Sequence, residues 1–250
     1  MISITYAFLI SMLIGVIPIY FGIILSRTIM KRVDSSRIYL IALSTGILSA
    51  TFIDLILNSS YLGINLGIER IAMQILFIGS FFFGLIILGV IKDFYIDNKI
   101  KNTTKNEYLI YLVAIGLCFH VFAEGIVIGY SFKSSVFEIN SNTITQGTSF
   151  FLHKIGEGII IPIIFSARRK TVILAGLLTS LPIGGGTIIA MLGLKGIFSS
   201  IFFAIGAGTT LYLLLMYSAL IDLETNRNMK IILVFSGFLF MYLAGVIHSF

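Results

Sequence analysis

The sequence is short of charge, of cysteine and of histidine, and each shortage excludes something. Only 11% of its 250 residues are charged, 58% are hydrophobic, and the mean hydropathy is +1.06. A water-soluble domain carries about 25% charged and about 45–50% apolar residues, so this composition belongs in a bilayer. The single cysteine, Cys118, lies in an apolar run, which excludes an intramolecular disulfide framework and a thiolate metal cluster and leaves a small apolar packer. Three histidines are too few for a membrane di-iron oxygenase. The H-E-x-x-H pattern of zincin proteases, a separate nucleophile with an oxyanion device and a nucleotide-binding loop are all missing, so an enzyme is not expected. The net charge of +6 does not point to nucleic acid, because the 17 lysines and arginines are spread between apolar stretches, where they read as topology signals.

Apolar stretches fill the rest of the chain. They fall at 4–25, 37–57, 70–91, 108–132, 146–167, 171–192, 196–221 and 230–249, each long enough to cross about 30 Å of hydrocarbon at about 1.5 Å per residue. Continuous rather than alternating hydrophobicity excludes a membrane β-barrel. The expectation is an all-α polytopic membrane protein, a bundle of eight transmembrane helices forming a single domain over residues 1–250. The first run has no basic residue before it and is too long for the core of a secretory signal, so it counts as a span. The longest loop, Lys92 to Glu107, is a polar linker.

An even number of spans puts both termini on one side. Thirteen basic residues lie in the odd loops (among them Lys31, Arg37, Lys99, Lys101, Arg168 and Lys230), and three, Arg70, Lys133 and Lys195, lie in the even ones. The positive-inside rule then makes the odd loops cytoplasmic and both termini external. Glycines within the spans, notably Gly184, Gly185, Gly186, Gly206 and Gly208, suit close helix packing.

Ionisable residues inside a bilayer are costly, and each is a candidate for function. They are Asp54 on the second span, His120 and Glu124 on the fourth, and His153, Lys154 and Glu157 on the fifth. Two spans carry the same device, His120-Val-Phe-Ala-Glu124-Gly125 and His153-Lys-Ile-Gly-Glu157-Gly158. A separation of four places imidazole and carboxylate on one helix face, about 6 Å apart along the axis. Measured from the cytoplasmic ends, His120 and Glu124 stand about 18 and 24 Å deep, and Glu157 and His153 about 15 and 21 Å deep on a neighbouring antiparallel helix. All four meet in one band near the midplane. Two imidazoles and two carboxylates offer nitrogen and oxygen to a borderline dication such as zinc, iron(II), manganese or cobalt, and the carboxylates offset its charge where water does not. The structural alternative is that each His–Glu pair only hydrogen-bonds within itself or to its neighbours.

These motifs, in order and spacing, resemble the ZRT/IRT-like (ZIP) metal transporters over the full eight-span length. HVFAEG is similar to that family's fourth-helix His-Asn-x-Pro-Glu-Gly pattern, and HKIGEG to its fifth-helix His-x-x-Pro-Glu motif; Ala207-Gly208-Thr-Thr-Leu-Tyr212 is a weaker match on the seventh span. The resemblance implies carriage of a divalent metal towards the cytoplasm, with His120, Glu124, His153 and Glu157 as ligands. Many family members hold a second metal, and its residues have changed here: Val121 stands for Asn, Lys154 for an acid, and Leu181, before Pro182, for Glu. Ala123 and Gly156 replace the motif prolines, and the cytoplasmic loop lacks a histidine-rich tract. A single-metal site is therefore expected.

Lys154 either occupies the vacated second cation position, or snorkels to water, or pairs with Asp54. Asp54 is a metal or proton relay at the entrance or an interfacial cap. His248 is a solvated terminal residue. The function expected is import of zinc, iron(II) or manganese as a transported substrate, with no cofactor. The partners are the dication and the lipid bilayer; oligomeric state stays open, a homodimer included. The alternatives are a proton- or cation-coupled carrier of another solute, or a non-transporting metal-binding sensor. A compact chain without a targeting extension points to a prokaryotic plasma membrane.

Overall fold

The computed structural model describes residues 3–32, 36–65, 70–97, 102–134, 141–163, 168–193, 197–221 and 224–248. Its helices are α1 (Ile4–Arg32), α2 (Ser36–Asn65), α3 (Arg70–Val90), α4 (Asn102–Ser134), α5 (Ser141–Ile160), α6 (Arg169–Ser180), α7 (Pro182–Met191), α8 (Ile197–Ser218) and α9 (Arg227–His248). A π-helical stretch, Ile91–Asp97, follows α3, and no strand occurs among the described residues. Lys99, Lys101, Lys195 and the side chain of His248 fall outside them.

Seven helical segments of this described chain are long and apolar enough to cross a membrane: Ile4–Arg32, Ser36–Ser60, Ile71–Phe94, Glu107–Lys133, Arg169–Met191, Ile197–Ser218 and Arg227–Gly245. The fold is that of a polytopic helical membrane protein. The span expected at 146–167 is the exception. Its helix, α5, is 20 residues long and about 30 Å in length, but it opens on Ser-Asn-Thr-Ile-Thr-Gln-Gly-Thr and falls short in hydrophobicity. It also stops at Ile160, not at 167, because Pro162 cannot continue a helix and drives Ile161 away from helical backbone. The span expected at 171–192 is broken: α6 ends at Ser180 and α7 starts at Pro182, in the first turn where a proline costs no hydrogen bond.

The helices divide into two bodies, joined to each other by the packing of α4 on α8 and of α5 on α9. One holds α1, α4, α5, α6 and α7; the other holds α2, α3, α8 and α9. Glycines face each other at the tightest crossings. A Cβ on Gly22 would run into Ile155 O of α5, and one on Gly158 into Ile19 O of α1; the same holds for Gly125 and Gly186 between α4 and α7. In the second body Gly84 and Gly208 join α3 to α8, and Gly46 and Gly237 join α2 to α9. Without a hydrophobic driving force between helices in lipid, such backbone approach is what van der Waals attraction requires. The glycines that end both His-x-x-x-Glu-Gly motifs are thus packing residues, and by seating the helix they orient the glutamate before them.

Neighbouring packings run α5, α1, α7, α4, α8, α2 and back to α5. This closed circuit places α4 opposite α5, across the interior of the bundle. The expected side-by-side packing of α4 and α5 is therefore corrected: they are not among the closely packed pairs, and only their long side chains meet.

Candidate metal centre

The meeting is between His120 and Glu124 of α4 and His153, Lys154 and Glu157 of α5. Their register is the antiparallel one the motif spacing requires, with His120 level with Glu157 and Glu124 level with His153 and Lys154. Glu157 Oε1 is the hub. It lies 3.1 Å from His120 Nε2 and 3.1 Å from His153 Nε2, and accepts a hydrogen bond from Lys154 Nζ at 2.6 Å. Lys154 Nζ also pairs with Glu124 Oε2, while His153 Nε2 stands 3.8 Å from Glu124 Oε1. His120, Lys154 and Glu157 are wholly buried, and Glu124 keeps 14% of its side chain exposed.

His120, Glu124 and Glu157 each present a ligand atom within 4.8 Å of the others. A dication binding nitrogen and carboxylate oxygen at about 2.0–2.2 Å holds its ligand atoms about 3.4 Å apart in tetrahedral geometry, so the trio would draw in by up to about 1.4 Å to grip one. His153 is attached to this trio through both glutamates rather than being part of it. Two buried atoms of the trio, His120 Nδ1 and Glu157 Oε2, have no hydrogen-bond partner among the described residues. Unsatisfied buried polar atoms are rare and costly, and a ligand site is one circumstance in which they persist. With the carboxylates ionised, the lysine protonated and the imidazoles neutral, the cluster carries a formal charge of −1.

Neighbouring residues hold the cluster in place. Gly206 of α8 lies directly behind His120, so that a Cβ there would stand 2.7 Å from His120 Cβ. Phe150, one turn before Lys154, places its ring centroid 5.3 Å from the ammonium, a distance at which cation–π attraction operates. The sequence reading did not single out Phe150. Its spacing of four from Lys154 was the available signal.

Other expected participants lie elsewhere. Asp54 is half-buried on α2; its Oδ1 faces Gly245 of α9, its carbonyl accepts from Asn58 Nδ2, and it forms no ion pair with Lys154. Of the readings of Lys154, pairing with Asp54 and snorkelling to water are therefore corrected: the ammonium is turned inward onto two carboxylates. Leu181 is 48% exposed at the break between α6 and α7. Val121 is buried against Phe150 and Ile183. Gly208 packs on α3, and Tyr212 borders Gly89 of α3, so the seventh-span match serves packing. Cys118 is a free, partly buried thiol.

No family model and no curated protein matches the chain. The fold and this cluster define a helical membrane protein whose interior has a His/Glu group able to hold a metal ion.

Proposed function

We propose that the chain is a secondary carrier that moves one divalent transition-metal ion at a time, zinc, iron(II) or manganese, across a plasma membrane into the cytoplasm. In this reading α5 crosses the membrane as an eighth span shielded by protein, and both termini lie outside. The observation that carries the proposal is the convergence of His120, Glu124 and Glu157, from opposite sides of the bundle, to within 4.8 Å in its interior. The motif resemblance to ZIP transporters supports it. So do the changes at Val121, Lys154 and Leu181, which speak for one metal.

Lys154 acts as a tethered cation that keeps the paired carboxylates neutralised while the metal is absent. An arriving dication displaces it from Glu124 and Glu157, and its return assists release. The ligands reach each side in turn by a rigid shift of one helix body against the other, with the carboxylates exchanging protons as the ion leaves. A dication crossing uncompensated gains about 4.6 kcal/mol per 100 mV of membrane potential, enough to drive uptake without a nucleotide.

A second reading is a proton- or cation-coupled carrier of another solute, favoured by the pairing of Lys154 with both glutamates. Uptake into proteoliposomes from a panel of zinc, iron(II) and manganese separates the two. Metal uptake that falls at least tenfold in both Glu124→Gln and Glu157→Gln is expected. Binding of metal without uptake would leave a sensor, and undiminished uptake in both variants would remove the site's support.

A further inference from the structure

The two ends of the site are not equally sealed. On the side of α5's N-terminal half, Glu124 is only partly buried and keeps 14% of its side chain exposed. On the side of its C-terminus, Ile159, Ile160, Ile161 and Ile163 are all buried within the most extensive apolar cluster of the described residues. The helix stops there because of Pro162, and carbonyls at a helix end need donors from elsewhere.

Two carbonyls, that of Ile160 at the helix end and that of Ile163 in the turn after it, take side-chain donors from the other helix body. Tyr217 of α8, itself fully buried, donates its hydroxyl to Ile160 O at 2.6 Å, and Arg37 of α2 donates Nε–H to Ile163 O at 3.1 Å. Thr209 Oγ1 to Gly116 O, and Ser149 Oγ to Ala244 O, also cross between the bodies, but neither touches the C-terminal end of α5. We infer that Tyr217 and Arg37 form a latch. They hold the end of α5 against the second body while the site is open on the Glu124 side, and their release opens the site on the opposite side. The inference rests on the carrier reading above. Side-chain donors on terminal carbonyls suit a reversible contact, since water can replace the donors once the end is exposed.

Accessibility tests this without any metal. In a Cys118→Ser background, Ile159→Cys reports on the latched side and Val127→Cys, one turn beyond Glu124, on the other. Detergent-solubilised, metal-free protein is labelled with a water-soluble maleimide. Tyr217→Phe removes the shorter of the two hydrogen bonds to Ile160 O and leaves only the 3.4 Å one from Ile163 N–H, a loss confined to the latched state, so labelling at Ile159→Cys is expected to rise on the order of tenfold and labelling at Val127→Cys to fall. Arg37→Gln, an independent donor, is expected to shift both in the same directions. Unchanged labelling at Ile159→Cys in both variants overturns the latch. A rise at both reporters also overturns it, as general loosening of the bundle. A wild type that labels as expected but takes up no metal would refute the carrier proposal and leave the latch standing.

Discussion

Replacing Lys154 by methionine separates a tethered cation from an ordinary structural ion pair. Methionine keeps the length and flexibility of the buried stem and removes only the charge and its donors. In the metal-free protein the change leaves Glu124 and Glu157 without the ammonium they share, and the cluster's formal charge goes from −1 to −2. Breaking a buried ion pair on one side costs about 3–5 kcal/mol, so the metal-free variant is expected to melt well below the wild type. Metal binding moves the other way. An ammonium and a dication about 4 Å apart repel by about 8 kcal/mol at an effective dielectric constant of 20. Lysine's stem lets the ammonium withdraw, and if about one-sixth of that repulsion persists, its removal tightens binding about tenfold. Isothermal titration with zinc and manganese should therefore give Lys154→Met a dissociation constant at least tenfold below the wild-type value. Saturating metal should also raise its melting temperature by more than that of the wild type. Lower metal-free stability with unchanged or weaker metal affinity would refute the reasoning and make Lys154 a fixed partner of the two glutamates.

Two further perturbations probe the frame around the site. Gly158→Val forces a side chain into the Ile19 carbonyl of α1, whereas Gly79→Val meets nothing within 4 Å; the first should destabilise by at least about 1–3 kcal/mol, the range for overpacking, and the second should leave thermal unfolding in detergent unchanged. Asp54→Asn should leave the metal dissociation constant within about twofold of wild type, because Asp54 shares no ion pair with the cluster and any entrance role acts on rate; a large loss of equilibrium affinity would place Asp54 among the ligands.

The helical, membrane-embedded character of the chain is legible from composition, and the His/Glu cluster from one repeated pattern. Imidazole and carboxylate four apart, twice, in a chain with so few polar residues, already implied that His120, Glu124, His153 and Glu157 share one band near the midplane. What the sequence did not disclose is lateral arrangement. Levels along a helix follow from residue counts, but which helices touch depends on which faces carry glycine. The crossings at Gly22 and Gly158, and at Gly125 and Gly186, send α5 to α1 and α4 to α7. Lys154 was ambiguous for the same reason, since its partner depended on whether α2 or α4 lay across from α5. The end of α5 was readable in principle: Pro162 stood in the expected span, and its hydrophobic surroundings masked it.

The weak hydrophobicity of α5 follows from its position. Lipid contact, not membrane crossing as such, demands an apolar surface, and every described residue from His153 to Ile163 is buried. With α1, α2 and α9 packed around it, α5 can carry His153, Lys154 and Glu157 in one turn without exposing them to acyl chains. By contrast α3, with exposed Ile75, Ile78, Phe82, Phe83 and Ile86, is apolar nearly all round and brings no ionisable side chain to the cluster. Charge at the midplane is tolerable only where protein, a counter-charge or water replaces lipid. The stretch of α5 that carries ionisable side chains is thus the one that the fold surrounds with protein, and a search for function in such a chain is best directed to its least apolar helix.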